Sequence, residues 1–191
     1  MATSLIEHLQ DVPDFRRGQG RRYRLDHTLT MIIMAIMSGR FGYREIGSFL
    51  RANADALAEH LRLDRRAMPS HVTVRTILRG VDFTALAAAF GAWARQHVPL
   101  RTGDLLVIDG KALGSTVEHY NDAYQDFICL VSLYAQRQGA VLALARYHNG
   151  HSSELVSVEQ LIRALDLHDV TISVDALHCK KNAQRNHRQR Q

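Results

Sequence analysis

The sequence predicts an α+β or α/β chain: helices through the first hundred residues, then a carboxy-terminal half in the order β-β-β-α-β. Three observations carry this. Apolar residues recur every three or four positions as far as Pro99. Beyond it come short, branched apolar runs separated by polar, Gly-containing segments. One amphipathic stretch, Leu155, Val158, Leu161, Ile162 and Leu165, stands before the last of those runs.

Taken in order, Leu25, Leu29, Ile32 and Ile36 mark one helix, and Ile46, Phe49, Leu50, Leu57 and Leu61 mark a second, with Gly39 and Gly42 between them. Ser70 is placed to cap a short helix whose exposed side offers His71, Thr73 and Arg75. Asp82 opens a further helix along Phe83, Leu86, Phe90, Trp93 and His97, and Pro99 closes it. The change of texture predicts a boundary at residues 99–103. Leu105-Leu106-Val107-Ile108 reads as a buried strand that stops at Asp109-Gly110. Residues 127–133 and 140–145 read as two strands joined by a hairpin turn at Gln136-Arg137-Gln138-Gly139. Residues 170–174 form the last strand, ending at Asp175. Cys129 falls inside a strand and is expected in the core.

A length of 191 residues, 46% apolar and 23% charged, is ordinary for one domain or two small ones and excludes low-complexity and collagen-like chains. Two cysteines exclude a disulfide-stapled scaffold. Residues 1–10 lack the pattern of a signal peptide, and the longest apolar run, residues 29–37, is far short of the roughly 20 residues that span a bilayer. No membrane association and a reducing, cytoplasmic setting follow as expectations. The 24 Lys and Arg exceed the 19 Asp and Glu by five, and the acid-free segment 177–191 holds five cations, Lys180 and Lys181 among them. Arg16, Arg17, Arg21, Arg22 and Arg24 form a second cluster. Such clusters attract polyanions, nucleic acid above all, and equally describe a solvated face.

Asp109 and Asp175 are the most informative residues. Each is the first polar group after a branched apolar run, which predicts both at the carboxyl ends of buried strands. If the intervening helix returns the chain so that the strands are neighbours, both carboxylates emerge at one sheet edge. Such a pair repels itself unless a cation sits between. Hard oxygen donors suit Mg²⁺ or Mn²⁺, and two such ions promote phosphoryl transfer. An aspartate after a strand also simply begins a turn or caps a helix, and that reading stays open.

The phrase Val107-Ile108-Asp109-Gly110-Lys111-Ala112-Leu113 resembles the first catalytic-acid motif of bacterial insertion-sequence DDE transposases of the H-repeat-associated type. Val174-Asp175-Ala176-Leu177-His178-Cys179 resembles the segment with the second acid, and Ser152-Ser153-Glu154-Leu155 a further family segment. Residues 11–18 and 68–71 resemble pieces of the helical region before that catalytic domain.

The resemblance implies a helical, DNA-contacting region at 1–99, a partial RNase H-like catalytic core at 100–176 and a basic tail at 177–191. It implies metal-dependent DNA cleavage and strand transfer at insertion-sequence ends, with Asp109 and Asp175 as the first two acids and metal ligands, in a cytoplasmic, nucleoid-associated protein. Arg16, Arg17, Arg21, Arg22, Ser70, His71, Arg75, Lys180 and Lys181 are the candidate DNA contacts. Lys111 is another, or a plain surface lysine. Glu154 precedes the second aspartate and is assigned a supporting role at the crossover helix, where its charge suits the positive end.

Two departures qualify the resemblance. The family's third acid lies well beyond the second aspartate, whereas only sixteen residues follow Asp175 here, and residues 182–191 are nearly without apolar side chains, as in a truncated or frameshifted frame. His151 stands where the family tends to have lysine. The expectation is weak metal binding, little or no transposition by this polypeptide alone, and marginal stability or association with another chain, a homo-oligomer included.

Other readings weighed are a non-catalytic DNA-binding regulator or inhibitor, with a helix-turn-helix between Leu25 and Leu78, and an RNase H-like nuclease outside transposition. A zinc site at His178, Cys179 and His187 lacks a paired ligand frame, and Ser70-His71 lacks a group to orient a nucleophile. No glycine-rich phosphate loop or cofactor motif supports a metabolic enzyme.

Overall fold

The computed structural model describes residues 3–63, 66–113, 116, 128–148, 158–159, 161–163, 165 and 167–174. Helices come first and a mixed four-stranded sheet follows, an α+β arrangement. The chain divides into two compact units at Phe90/Gly91.

The first unit holds α1 (Leu5–Leu9), α2 (Leu25–Met37), α3 (Tyr43–Ala52), α4 (Ala54–His60), α5 (His71–Gly80) and the start of α6 (Phe83–His97). Its core gathers Leu25, Leu29 and Ile32 of α2, Ile46 and Leu50 of α3, and Val74 and Ile77 of α5. Full burial of one such side chain stabilises by about 1.5–3 kcal/mol. The expected α2 stripe shifts at its end: Ala35 is buried, while Ile36 is 40% exposed. The expected helix across 46–61 is two helices, because the backbone breaks at Asn53 (φ −110°), whose side-chain amide donates to the Phe49 carbonyl at 2.8 Å. Ser70 caps α5 by accepting from the Thr73 N–H at 3.3 Å, and Asp82 caps α6 by accepting from the Thr84 N–H at 2.8 Å.

Helices α3 and α5 meet at Gly47. A Cβ there would lie 2.9 Å from the His71 nitrogen, so only glycine admits this approach. The tight turn of a helix-turn-helix does not precede α5, since residues 61–70 separate it from α4. α1 went unread: five residues are too few to show a period, although Ser4 and Glu7 stand at capping-box spacing and the Glu7 carboxylate accepts from the Ser4 N–H at 2.7 Å.

In the second unit β1 (Leu105–Ala112), β2 (Ile128–Ala135), β3 (Ala140–His148) and β4 (Thr171–Val174) form a sheet of order β3-β2-β1-β4. β1·β2 and β2·β3 are antiparallel, and β1·β4 is parallel. Residues 136–139 make the expected hairpin turn, with Gly139 at φ +66°. Leu106, Ile108, Val131, Leu133 and Leu142 pack one sheet face against Val158 and Leu161 of a helical segment, and Cys129 is buried. The register passes from Leu133↔Ala143 to Tyr134↔Val141, and this bulge turns both Leu142 and Ala143 inward.

Asp104 ties the strand starts together. Its carboxylate accepts two bonds from the Arg137 guanidinium (2.6 and 2.8 Å), one from the Gln138 amide (2.7 Å) and one from the Arg101 N–H (2.8 Å). Its carbonyl accepts from the Thr171 N–H of β4 at 2.9 Å. The Arg137 guanidinium first, and the Arg101 N–H after it, hold the Asp104 carboxyl well below the usual carboxylate range. Among the described residues no single helix is long and apolar enough to cross a membrane.

Candidate functional site

Strand β1 was expected to stop at Asp109 and instead continues to Ala112. Its outer half stays hydrogen-bonded to β2, through Gly110↔Val131, Lys111↔Leu130 and Ala112↔Cys129. What stops after Ile108 is burial, because residues 109–112 are all exposed. Asp109 therefore marks where the strand leaves the core rather than where it ends.

β1 and β4 run side by side with Leu106↔Ile172, Val107↔Ser173 and Ile108↔Val174 in register. Asp109 follows Ile108 in the chain, and Asp175 follows Val174. Asp175 lies outside the described residues, as do Glu154, Lys180 and Lys181, and so do His178, Cys179 and His187.

Strand alternation places Asp109 on the face opposite Leu106 and Ile108. The same face carries Val107 and Lys111 of β1, Leu130 and Ser132 of β2, and Leu144 and Arg146 of β3, by the registers Asp109↔Ser132↔Leu144 and Lys111↔Leu130↔Arg146. The Ser132 hydroxyl donates to the Asp109 carbonyl at 3.5 Å. The Asp109 carboxylate forms no hydrogen bond or ion pair with a described residue. Asp109 is an exposed hard oxygen donor, the type of group a divalent ion takes, and Lys111 and Arg146 stand on the same face of the sheet. Among the described residues no group of three or more His, Cys, Asp or Glu is assembled for a metal. Ser132 and Arg146 were not singled out from the sequence: alternation counted back from the hairpin turn assigns Ser132 to this face, whereas Arg146 reaches it only through the bulge between Leu133 and Tyr134.

The basic cluster at 16–24 divides in two. Arg16, expected at a DNA surface, is buried. Its guanidinium donates twice to Asp14 (2.8 and 2.8 Å) and once to the Tyr23 carbonyl (2.8 Å). Arg21 turns back onto the Arg16 carbonyl (2.7 Å) and the Asp14 carbonyl (2.9 Å), and Arg24 pairs with Asp26 at 2.6 Å. These bonds hold the loop, and the Arg16 guanidinium keeps the Asp14 carboxyl below its ordinary value. Phe15 lies over Gly80 at the end of α5, and Val12 is buried, so residues 12–16 serve the fold. Arg17 and Arg22 face solvent, Arg22 with its guanidinium 5.6 Å from the Tyr23 ring centre.

On α5, His71, Val72, Arg75, Thr76 and Arg79 are exposed, a stripe at helical spacing. Beside its first turn opens a cleft of about 330 Å³ lined by Gly47, Arg51, Arg66, Met68 and Ser70, among others. Arg66 pairs with Asp55 at 3.0 Å, a highly exposed contact of little energetic weight.

Residues 6–94 match the DDE_Tnp_1-associated family. Over 179 residues, 94% of its length, the chain is 24% identical to the "Putative transposase YncI" of Escherichia coli O157:H7 and covers 45% of that protein. It is 24% identical over 178 residues, 93% of its length, to the "H repeat-associated putative transposase YhhI" of Escherichia coli K12, covering 46%. It is 28% identical over 175 residues, 89% of its length, to an uncharacterized protein of Xanthobacter autotrophicus, covering 57%. The chain thus spans about half the length of these relatives. The chain is thus similar along most of its length to the H repeat-associated putative transposases, and its residues 6–94 match the DDE_Tnp_1-associated family.

Proposed function

We propose that this chain acts on DNA as part of a DDE-type transposase, with an RNase H-like catalytic core behind a DNA-contacting helical region. One observation carries the reading: β1 and β4 are parallel neighbours in a register whose last described pair, Ile108↔Val174, stands one residue before each aspartate. A sheet of order β3-β2-β1-β4 with an antiparallel hairpin and a parallel fourth strand supports the RNase H-like reading.

Asp109 and Asp175 would hold Mg²⁺ or Mn²⁺. Bound there, the ion would supply charge neutralisation at a phosphodiester and a more acidic water. The chain's own part is positional. β1 carries Asp109, β4 ends at Val174, one residue before Asp175 in the chain, and Ser132 restrains the backbone at Asp109. Lys111 and Arg146 set positive charge on the same face for DNA phosphates. In the helical region, Arg17 and Arg22 and, on the α5 stripe, Arg75 and Arg79 present cations at the surface, with His71 beside them as a polar side chain, and Ser70 fixes the start of that stripe. Glu154, Lys180 and Lys181 keep the supporting and DNA-binding roles that the family resemblance implies.

The test is Mn²⁺ binding, read by electron paramagnetic resonance on the purified chain. Asp109→Asn and Asp175→Asn should each weaken binding by at least about tenfold, since loss of outer-shell partners already costs that much. Unchanged Mn²⁺ affinity in both variants would overturn the metal assignment. Salt-sensitive DNA binding indifferent to both substitutions and to divalent ions would make the chain a DNA-binding regulator instead.

A further inference from the structure

Among the described residues, seven large apolar side chains are exposed, and four of them, Ile36, Met37, Phe41 and Tyr43, fall at the corner between α2 and α3. Met37 is 83% and Phe41 74% exposed. This corner is built rather than slack. At the end of α2 the Arg40 N–H donates to the Ala35 carbonyl at 3.0 Å and the Gly39 N–H to the Ile36 carbonyl at 2.9 Å, with Gly39 at φ +79°, a glycine-closed helix end. At the start of α3 the Glu45 carboxylate accepts from the Phe41 and Gly42 N–H groups at 3.2 and 3.3 Å. The backbone that presents Met37 and Phe41 is thereby fixed, while the two side chains meet water.

Charge identifies what covers them. Arg40 and Arg44 flank Phe41, both exposed, and neither guanidinium forms a hydrogen bond or ion pair with a described residue. The one acid in the sequence 36–45, Glu45, is engaged by backbone N–H groups. A second copy docked through the same patch about a two-fold axis would bring arginines against arginines, which is repulsive. A polyanion with apolar faces suits both features. Nucleic acid has them, and its bases show those faces where the stack is open.

We infer that the α2–α3 corner is a base-contacting wedge. Phe41 and Met37 lie against unstacked bases at a frayed or distorted DNA site, and Arg40 and Arg44 bind the flanking phosphates. The inference rests on the proposal that the chain acts on DNA, and adds which state of DNA it favours.

The test compares binding to a mixed-sequence, blunt-ended duplex and to the same duplex opened at one end by mismatched bases carrying 2-aminopurine. The whole chain is used in EDTA, so that catalysis plays no part. Wild type should bind the opened end about tenfold more tightly, by the usual worth of aromatic–base stacking. Phe41→Ala should lose that preference and the fluorescence change while keeping wild-type circular dichroism and affinity for the closed duplex, and Phe41→Trp should restore it. Replacing Arg40 and Arg44 by Ala should weaken both complexes and reduce the salt slope by about two. Undiminished preference in Phe41→Ala overturns the inference. So does a Phe41→Ala chain that turns from oligomer to monomer with its DNA preference intact, which would make the corner an interface between copies. Wild type binding both duplexes alike overturns it while leaving the DNA-acting reading in place. Failure to bind either duplex removes both.

Discussion

Gly47→Ala tests the packing that sets α5 in place. The added Cβ would stand 2.9 Å from the His71 nitrogen, 3.0 Å from its Cβ and 3.1 Å from its Cα. Ordinary contacts of such atoms fall at about 3.5–4.0 Å, so α3 and α5 must separate by roughly half an ångström. Two of the three obstructing atoms are backbone at the first residue of α5 and cannot rotate aside. Overpacking of this kind costs about 1–3 kcal/mol. Against it, alanine in a helix interior is better than glycine by about 0.5–1 kcal/mol. The net expectation is a loss of about 1–2 kcal/mol, or roughly 5–15 °C in the melting temperature of a unit this size. Thermal and urea unfolding followed by circular dichroism would read it. Gly18→Ala, where a Cβ meets nothing within 4 Å, is the control and should stay within about 0.5 kcal/mol of wild type. A Gly47→Ala chain that melts at or above the wild-type temperature would show that helix propensity outweighs the contact, and that α3 and α5 are not held at this distance.

The remaining expectations concern three other interactions. Leu133→Ala empties a fully buried site in the sheet core and should lose about 2–5 kcal/mol by urea titration; a loss below about 1 kcal/mol would mean that the core is loosely packed there. Arg16→Ala should lose about 2 kcal/mol, and Arg16→Lys should recover little, because an ammonium cannot reproduce the paired bonds to Asp14; full recovery by Lys would show that charge alone suffices. For Asp104 the folded carboxyl titrates below the unfolded one, so its stabilisation is complete above the unfolded value and fades as pH falls through the lower folded value. The stability gap between wild type and Asp104→Asn should therefore be constant near neutrality and close below about pH 4, and a gap independent of pH would refute the assignment.

Local pattern made much of the fold legible. The apolar spacing from Leu25 to Ile32 and the run 105–108 reflect burial, and burial is what the pattern records. The hairpin was legible because residues 136–139 are polar and end in a glycine at positive φ. Features decided by partners were not legible. β1 outlasts its apolar run because β2 continues to bond it, and nothing in residues 109–112 announces that. Asp104, one polar residue among others at a strand start, gains its role from Arg137 and Gln138, more than thirty positions away. The candidate site falls between these cases. A branched run followed by aspartate was visible at Asp109 and again at Asp175, but that β1 and β4 are neighbours is a long-range fact which only the pairing supplies.

The same distinction governs the basic cluster, with a consequence for where the proposed DNA partner would be met. A sequence counts cations, and a fold decides which of them can approach a phosphate. Of the five arginines between 16 and 24, Arg16 lies inside, while Arg21 and Arg24 are tied to Asp14, Asp26 and backbone carbonyls. Moving any of these three to a phosphate would break bonds that hold the loop, so each carries an opposing cost that Arg17 and Arg22 do not. Arg40, Arg44, Arg75 and Arg79, scattered in the sequence and unremarkable as a composition signal, are exposed. Counterion release scales with the phosphates actually neutralised, so the salt dependence of binding should follow these dispersed cations together with Arg17 and Arg22. The densest run of arginines is thus mainly a device for closing a loop around Asp14, and a charge scan that removed it would unfold the helical unit before it reported on DNA.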